Sequence, residues 1–134
     1  MKKKFQVAGA LFGATAVILG AFGAHILKEK LSIGELEIYE KGVYYQVFHS
    51  LAILFSASMI GSVQGKSHFG KASLLFCFGI IFFSGSLYLL ACKELLGITQ
   101  LTKIIGPITP LGGLCLIAGW IMLAVQFMIG KTEH

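Results

Sequence analysis

The chain has 134 residues, 56% of them hydrophobic and 13% charged, with a mean hydropathy of +0.83 and a formal net charge of +5. Soluble domains carry about 25% charged residues, so so few charges could not cover the surface of a water-soluble fold of this size. A soluble enzyme, a nucleic-acid-binding domain and a disordered tail are thereby excluded, and a membrane protein remains.

The charges are 11 lysines and 6 glutamates, without arginine or aspartate. They leave four uncharged windows, 5–27, 42–65, 72–92 and 104–130. About 20 apolar residues at 1.5 Å rise cross a ~30 Å hydrocarbon layer, so each window is long enough to span. A Lys or Glu at the centre of a span costs roughly 2.5–3.5 kcal/mol on insertion scales, which explains their absence. Backbone amides in lipid must be satisfied internally, and runs this long mean helices, because barrel strands are ~10 residues long and alternate in polarity. The expectation is one all-α membrane domain over 1–134, a four-helix bundle with spans at about 5–27, 43–64, 72–92 and 108–130.

The first window has a rival reading. Lys2, Lys3 and Lys4 before an apolar run, with Ala21, Gly23 and Ala24 behind it, resemble a cleavable signal peptide. Against this, the run exceeds a 7–15-residue signal core. It also carries Gly9 and Gly13 as GxxxG, then Ala16, Gly20 and Ala24 every fourth residue, a surface that lets a neighbouring helix approach closely. The same surface offers a route to a homo-oligomer.

Ser32 followed by Glu35 is a capping-box pattern. Leu36, Ile38, Tyr39 and Val43 among Glu37, Glu40 and Lys41 suggest a short amphipathic helix lying in the interface between spans one and two, with a soluble connecting helix as the alternative. Gln64 to Lys71 reads as a polar turn. The apolar 93–107 loop is expected at the membrane surface. Thr109 and Pro110 read as N-cap and first residue of the last span.

With four spans, the N-terminus, the 66–71 loop and the tail share one side with six lysines, against five on the other. The positive-inside rule, weighted by the opening triple lysine, places both termini in the cytoplasm. The absence of arginine argues against an organellar import peptide and for the bacterial plasma membrane. Cys77, Cys92 and Cys115 lie within or at the edges of spans without paired spacing, so neither a disulfide framework nor a metal site is expected. Trp120 falls near mid-span and is expected to pack against a neighbour.

Ionisable groups inside a span normally face the bundle interior. His25 and His49 interrupt apolar helices. Tyr39, Gly42, Gln46 and His49 share one stripe of span two, with Glu40 and Tyr44 on the adjacent one and Tyr45 a turn before His49. Ser84, Gly85, Ser86 and Tyr88 make a second polar knot in span three. A short link between spans one and two would put His25 and His49 in one layer near one membrane face. The candidate cluster is therefore His25, Glu40, Tyr45, Gln46, His49, Ser84 and Ser86. It serves either to hold helices in register through hydrogen bonds of about 0.6 kcal/mol each, or as a pocket for a proton, headgroup, quinone or small solute, or as axial ligation of a haem.

Four stretches carry a resemblance: 20–25 (GAFGAH), 39–49 (YEKGVYYQVFH), 83–90 (FSGSLYLL) and 106–113 (GPITPLGG). Together they are similar to the DUF423, or UPF0382, family of small bacterial membrane proteins, whose eukaryotic relative is transmembrane protein 256. The resemblance runs in order over nearly the whole chain. It implies a multi-pass plasma-membrane protein without an assigned activity, and it marks Pro107 and Pro110 besides the cluster residues. The expectation is a non-enzymatic protein without cofactor or nucleic-acid partner, surrounded by membrane lipids, whose cluster is structural or binds a small ligand or lipid. The alternative is a small-solute or proton-coupled transporter or channel subunit with His49 and Glu40 titrating.

Overall fold

A computed structural model describes residues 1–63 and 67–129. Among them the secondary structure is entirely helical. Four long helices dominate: α1 (Lys2–His25), α2 (Ile33–Ser58), α3 (Phe69–Ala91) and α4 (Ile108–Ile129). Three helical stretches, Lys2–Glu29, Phe69–Ala91 and Thr99–Ile129, are long and apolar enough to cross a membrane. The fourth, α2, is the most polar of the set. The outward faces are apolar: Leu11, Val17, Leu51, Ile117 and Phe127 all stand exposed. Water would reject such surfaces, and hydrocarbon solvates them.

The link between α1 and α2 differs from expectation. Leu27–Glu29 is a single 3₁₀ turn, and Ser32 opens α2 directly. Its hydroxyl accepts from Glu35 N (3.3 Å), while the Glu35 carboxylate accepts from Ser32 N (2.9 Å). This is the full capping box, and it starts a helix that runs unbroken to Ser58. No separate interfacial helix stands here: Glu37, Glu40 and Lys41 decorate the first turns of α2. The charges that bound an apolar window do not bound a helix, because a helix can project charged turns beyond the hydrocarbon.

Each long helix runs antiparallel to the next, and small residues set the contacts. Along α1, Gly23 lies against Tyr39, Gly20 against Val43, Gly13 against Ser50 and Gly9 against Ile53 and Leu54. Gly9 and Gly23 admit no larger residue without movement: a Cβ would come 2.9 Å from Leu54 Cγ or 2.6 Å from Tyr39 Cε1. The GxxxG surface is thus occupied within the chain by α2. On α3 and α4 the backbones themselves touch, a Cβ on Gly112 falling 2.7 Å from the Phe82 carbonyl carbon. Gly119 accommodates the Phe76 ring in the same seam.

At that crossing α3 widens into a π-helical turn, Ile80–Ser84, before resuming as an α-helix. π turns bulge the backbone locally, and here the bulge meets Gly112. The 93–107 segment folds into a turn with Gly97 at φ +68°, a 3₁₀ turn at Thr99–Leu101 and a short helix, Thr102–Ile105. Helix α4 begins at Ile108, so Thr109 and Pro110 lie inside its first turn instead of capping it. Proline's missing amide is still harmless there, since first-turn amides have no intrahelical partner. Helix α3 starts at Phe69, so Lys71 is helical; residues 64–66 of the expected polar turn and the tail with Lys131 lie outside the described residues.

Two apolar cores bracket the polar middle. One contains Ile53, Phe69, Phe76, Ile80, Leu116 and Leu123; the other gathers Leu27, Tyr39, Ala91 and Cys92.

Candidate functional site

The stripe on α2 supplies the centre. Tyr39, Gly42, Gln46, His49 and Ile53 are all buried along one face. Gln46 sits where three helices meet. Its amide nitrogen donates to Phe12 O (2.9 Å) and lies 2.8 Å from Thr15 Oγ1 on α1, while its carbonyl accepts from Tyr88 OH on α3 (2.7 Å). Gln46 is 4% exposed, so its polar atoms, deprived of water, are satisfied by three other residues. Tyr88 can reach it because Gly42 leaves room: a Cβ there would stand 2.8 Å from Tyr88 Cε1.

His49, one turn on, faces α4. Its Nδ1 lies 2.7 Å from Tyr45 O, and Trp120 Nε1 donates to its Nε2 at 3.1 Å. A carbonyl only accepts and an indole N–H only donates. The two bonds together require hydrogen on Nδ1 and a lone pair on Nε2, which describes one neutral tautomer. The ring also lies 5.8 Å, centroid to centroid, from Tyr45 and 5.6 Å from Phe76. Tyr45 in turn packs on Phe83 at 4.5 Å. Tyr44, Tyr45, Phe48, His49 and Trp120 line an open cleft of about 340 Å³ beside this ring.

Smaller links extend the network towards both ends. Ser86 Oγ and Thr109 Oγ1 are 2.7 Å apart and join α3 to α4, with Ser86 also donating to Phe83 O. Ser56 and Ser73, both fully buried, are 2.7 Å apart and join α2 to α3. Gln126, 1% exposed, accepts from His68 N through Oε1 at the other end of α4. Ser84 Oγ, in the π turn, lies buried without a hydrogen-bond partner among the described residues.

The expected seven-residue cluster is therefore divided. Gln46, His49 and Ser86 belong to the interhelical hydrogen-bond network; Tyr45, though exposed, joins it through its carbonyl on His49 and its ring on Phe83, and Ser84 is buried beside it without a partner among the described residues. His25 and Glu40 do not belong to it: both are exposed, and among the described residues neither makes a side-chain hydrogen bond to another helix. The pairing of Gly23 with Tyr39, and of Gly13 with Ser50, places His49 near Gly13 on α1. His25 lies 12 residues away along that helix, about 18 Å at 1.5 Å per residue. The shared histidine layer fails because α2 begins at Ile33, which puts His49 well over four turns into the helix instead of one or two. Two histidines so separated cannot sit on opposite faces of one haem. Gly9, Gly13 and Gly20 do serve packing, against α2.

Sequence reading missed Thr15, Ser56, Ser73, Thr109 as a partner, and Gln126. The signal for Gln126 was present: an amide inside an apolar window must face a partner for the same reason that His49 must. The serines give no such signal, because a helical hydroxyl can return its hydrogen to its own backbone.

Helices long and apolar enough to span, small residues at every contact and polar side chains turned inwards define a helical integral membrane protein. Residues 19–113 match the family described as "Protein of unknown function (DUF423)". The chain is 45% identical over 125 residues to a UPF0382 membrane protein of Staphylococcus saprophyticus, covering 92% of this chain and 95% of that one. It is 40% identical over 123 residues to the UPF0382 membrane protein YwdK of Bacillus subtilis, covering 92% and 94% respectively. The chain belongs to this DUF423/UPF0382 family of membrane proteins. No solved structure matches it.

Proposed function

We propose that the chain is a four-span, non-enzymatic protein of the bacterial cell membrane, both termini cytoplasmic, whose inward polar groups act as interhelical ties. The observation carrying this is Gln46, one side chain tying α1, α2 and α3 together. In hydrocarbon the apolar effect cannot hold helices together, so close packing and hydrogen bonds do so. Helix α2, with 26 residues, extends about 39 Å, enough to cross. Its modest hydropathy comes from Glu35, Glu37, Glu40 and Lys41 in its first turns and from Gln46, His49, Ser50 and Ser56 further along, the last four buried, hydrogen-bonded and shielded from lipid save where His49 borders the lateral cleft.

The transporter reading needs polar groups turned towards an aqueous route. Gln46, His49 and Tyr88 are instead committed to one another's helices or to Trp120. What stays open is the lateral cleft beside His49, where a small ligand or lipid would meet the protein.

Single-cysteine labelling tests the topology. With Cys77, Cys92 and Cys115 replaced by serine, Phe48→Cys in intact cells should resist a membrane-impermeant maleimide. Lys41→Cys should react from outside and Lys3→Cys only after lysis. Ready labelling of Phe48→Cys from water would remove α2 from the membrane and end the four-span reading. The ties are tested separately: Gln46→Leu should lower thermal stability in detergent more than Val47→Leu, a change on the exposed face.

A further inference from the structure

Two grooves run along the outside of α2, one on each side of a ridge made by Tyr44 and Phe48, whose rings lie 5.6 Å apart. The groove on the α1 side, about 500 Å³, is floored by Gly20, Val43 and Val47. The groove on the α4 side is the cleft of about 340 Å³ that ends on His49 and Trp120. They converge at the start of α2, where a third hollow of about 350 Å³ is bounded by Glu37, Glu40 and Lys41. Glu40 borders both this hollow and the α1-side groove, and Tyr44 borders all three. The outline is a charged mouth opening into two apolar channels that straddle a ridge.

From Glu40 to His49 is nine residues of helix, about 14 Å along the axis, a depth reached by hydrocarbon chains and by no headgroup. Occupancy by water is disfavoured because the channel walls are aromatic and aliphatic. A second helix would rest on the ridge and leave the two flanking channels empty. A molecule with two parallel chains fills them both.

The mouth selects the head. Two carboxylates and one ammonium leave it with net charge −1. An anionic phosphodiester could pair with Lys41 but would face both glutamates. A zwitterion satisfies all three: its phosphate pairs with Lys41, and its ammonium pairs with Glu37 and Glu40. A primary ammonium also donates hydrogen bonds to the carboxylates, which a quaternary one, lacking N–H, cannot.

We infer that the α2 face of this protein is a binding site for one two-chain phospholipid with a primary-ammonium headgroup, of the phosphatidylethanolamine type, its chains astride Tyr44 and Phe48 and its head at Glu37, Glu40 and Lys41. The inference rests on the four-span reading, which places this face in lipid.

The test is native mass spectrometry of the full chain in detergent, challenged with equimolar phosphatidylethanolamine, phosphatidylglycerol and phosphatidylcholine of identical chains. One phosphatidylethanolamine should be retained, at roughly fivefold over phosphatidylglycerol, the scale of about one interfacial charge. The Glu37→Gln/Glu40→Gln variant should abolish that preference while still retaining lipid. The Tyr44→Ala/Phe48→Ala variant should reduce retention of all three lipids. Equal retention of the three lipids by the unaltered chain overturns the inference, as does a preference for phosphatidylglycerol, a preference that survives the double glutamine change, or unchanged retention without the ridge. Failure of the four-span reading is seen independently, in the labelling of Phe48→Cys. Should a variant not fold, the competition on the unaltered chain decides alone.

Discussion

Trp120 on α4 donates its indole hydrogen to His49 on α2 across 3.1 Å, and the opposite ring nitrogen is held by Tyr45 O at 2.7 Å. These two residues, 71 apart in sequence, fix each other: the indole has one proton to give, and only the Nδ1–H tautomer leaves a lone pair to receive it. Trp120 is the sole tryptophan, so its fluorescence reports this contact directly.

Removing the donor while keeping an aromatic ring isolates the bond. Trp120→Phe should destabilise the protein in detergent by about 1 kcal/mol, between the ~0.6 kcal/mol mean and ~1.7 kcal/mol maximum measured for polar contacts in membrane bundles. A double-mutant cycle with His49→Phe should return a coupling of similar size. Additive effects of the two changes would show that the contact contributes nothing.

The Gly112 crossing should tolerate nothing larger. A Cβ there meets the backbone of Phe82 and Phe83, which cannot rotate aside as a side chain can. Gly112→Ala should cost about 1–3 kcal/mol, the usual range for overpacking, or prevent α3 and α4 from docking. Gly85→Ala, one residue past the π turn and with open space around its Cβ, should be neutral or stabilising by up to about 1 kcal/mol through helix propensity. Thermal melts of the two variants side by side decide the point.

The Ser56–Ser73 contact is fully buried. Ser73→Val removes one hydroxyl and leaves the other with only its bond to Ile53 O at 3.2 Å. The expected loss is about 0.6 kcal/mol, and the paired change Ser56→Ala/Ser73→Ala should recover part of it, read as denaturation midpoints in detergent.

The start of α2 should depend on pH. Hydrogen bonds from the Ser32 backbone amide and hydroxyl hold the Glu35 carboxyl below its usual value near 4.5, with Lys93 adding a smaller pull in the same direction. A carboxyl depressed in the folded state stabilises it above the unfolded value and loses that contribution as pH falls through the folded one. The first turn of α2 should therefore loosen only below about pH 4.5, seen as faster amide exchange over residues 33–38. In Glu35→Gln that pH dependence should vanish.

Much of this fold could be read before any coordinates. Charge-free windows announced long helices, Ser32 and Glu35 announced a helix start, though of a separate interfacial helix and not of α2, and the 39/42/46/49 spacing marked the buried face of α2. What escaped was the relation between helices. His25 and Glu40 look like partners of His49 only if charge positions set the helix limits, and the capped helix α2, which begins at Ile33 among its charges, breaks that equation. The bonds from Gln46 to Tyr88 and from His49 to Trp120 depend on how far each helix is rotated about its own axis. Glycine contacts such as Gly42 against Tyr88 settle that rotation, and no local pattern in α2 reveals which distant residue will occupy the space.

The π turn at Ile80–Ser84 acts as a phase shifter for everything that follows it in α3. Winding the same five residues as regular α-helix would swing the downstream half by up to roughly 100°, the rotation of the one extra residue that the wide turn absorbs. Tyr88 would then point away from Gln46, and Ser86 away from Thr109. The wiring of α3 to its neighbours therefore hangs on this turn staying wide: exchanges that keep it wide leave Tyr88 and Ser86 in place, whereas exchanges that let all five residues wind tightly turn both away.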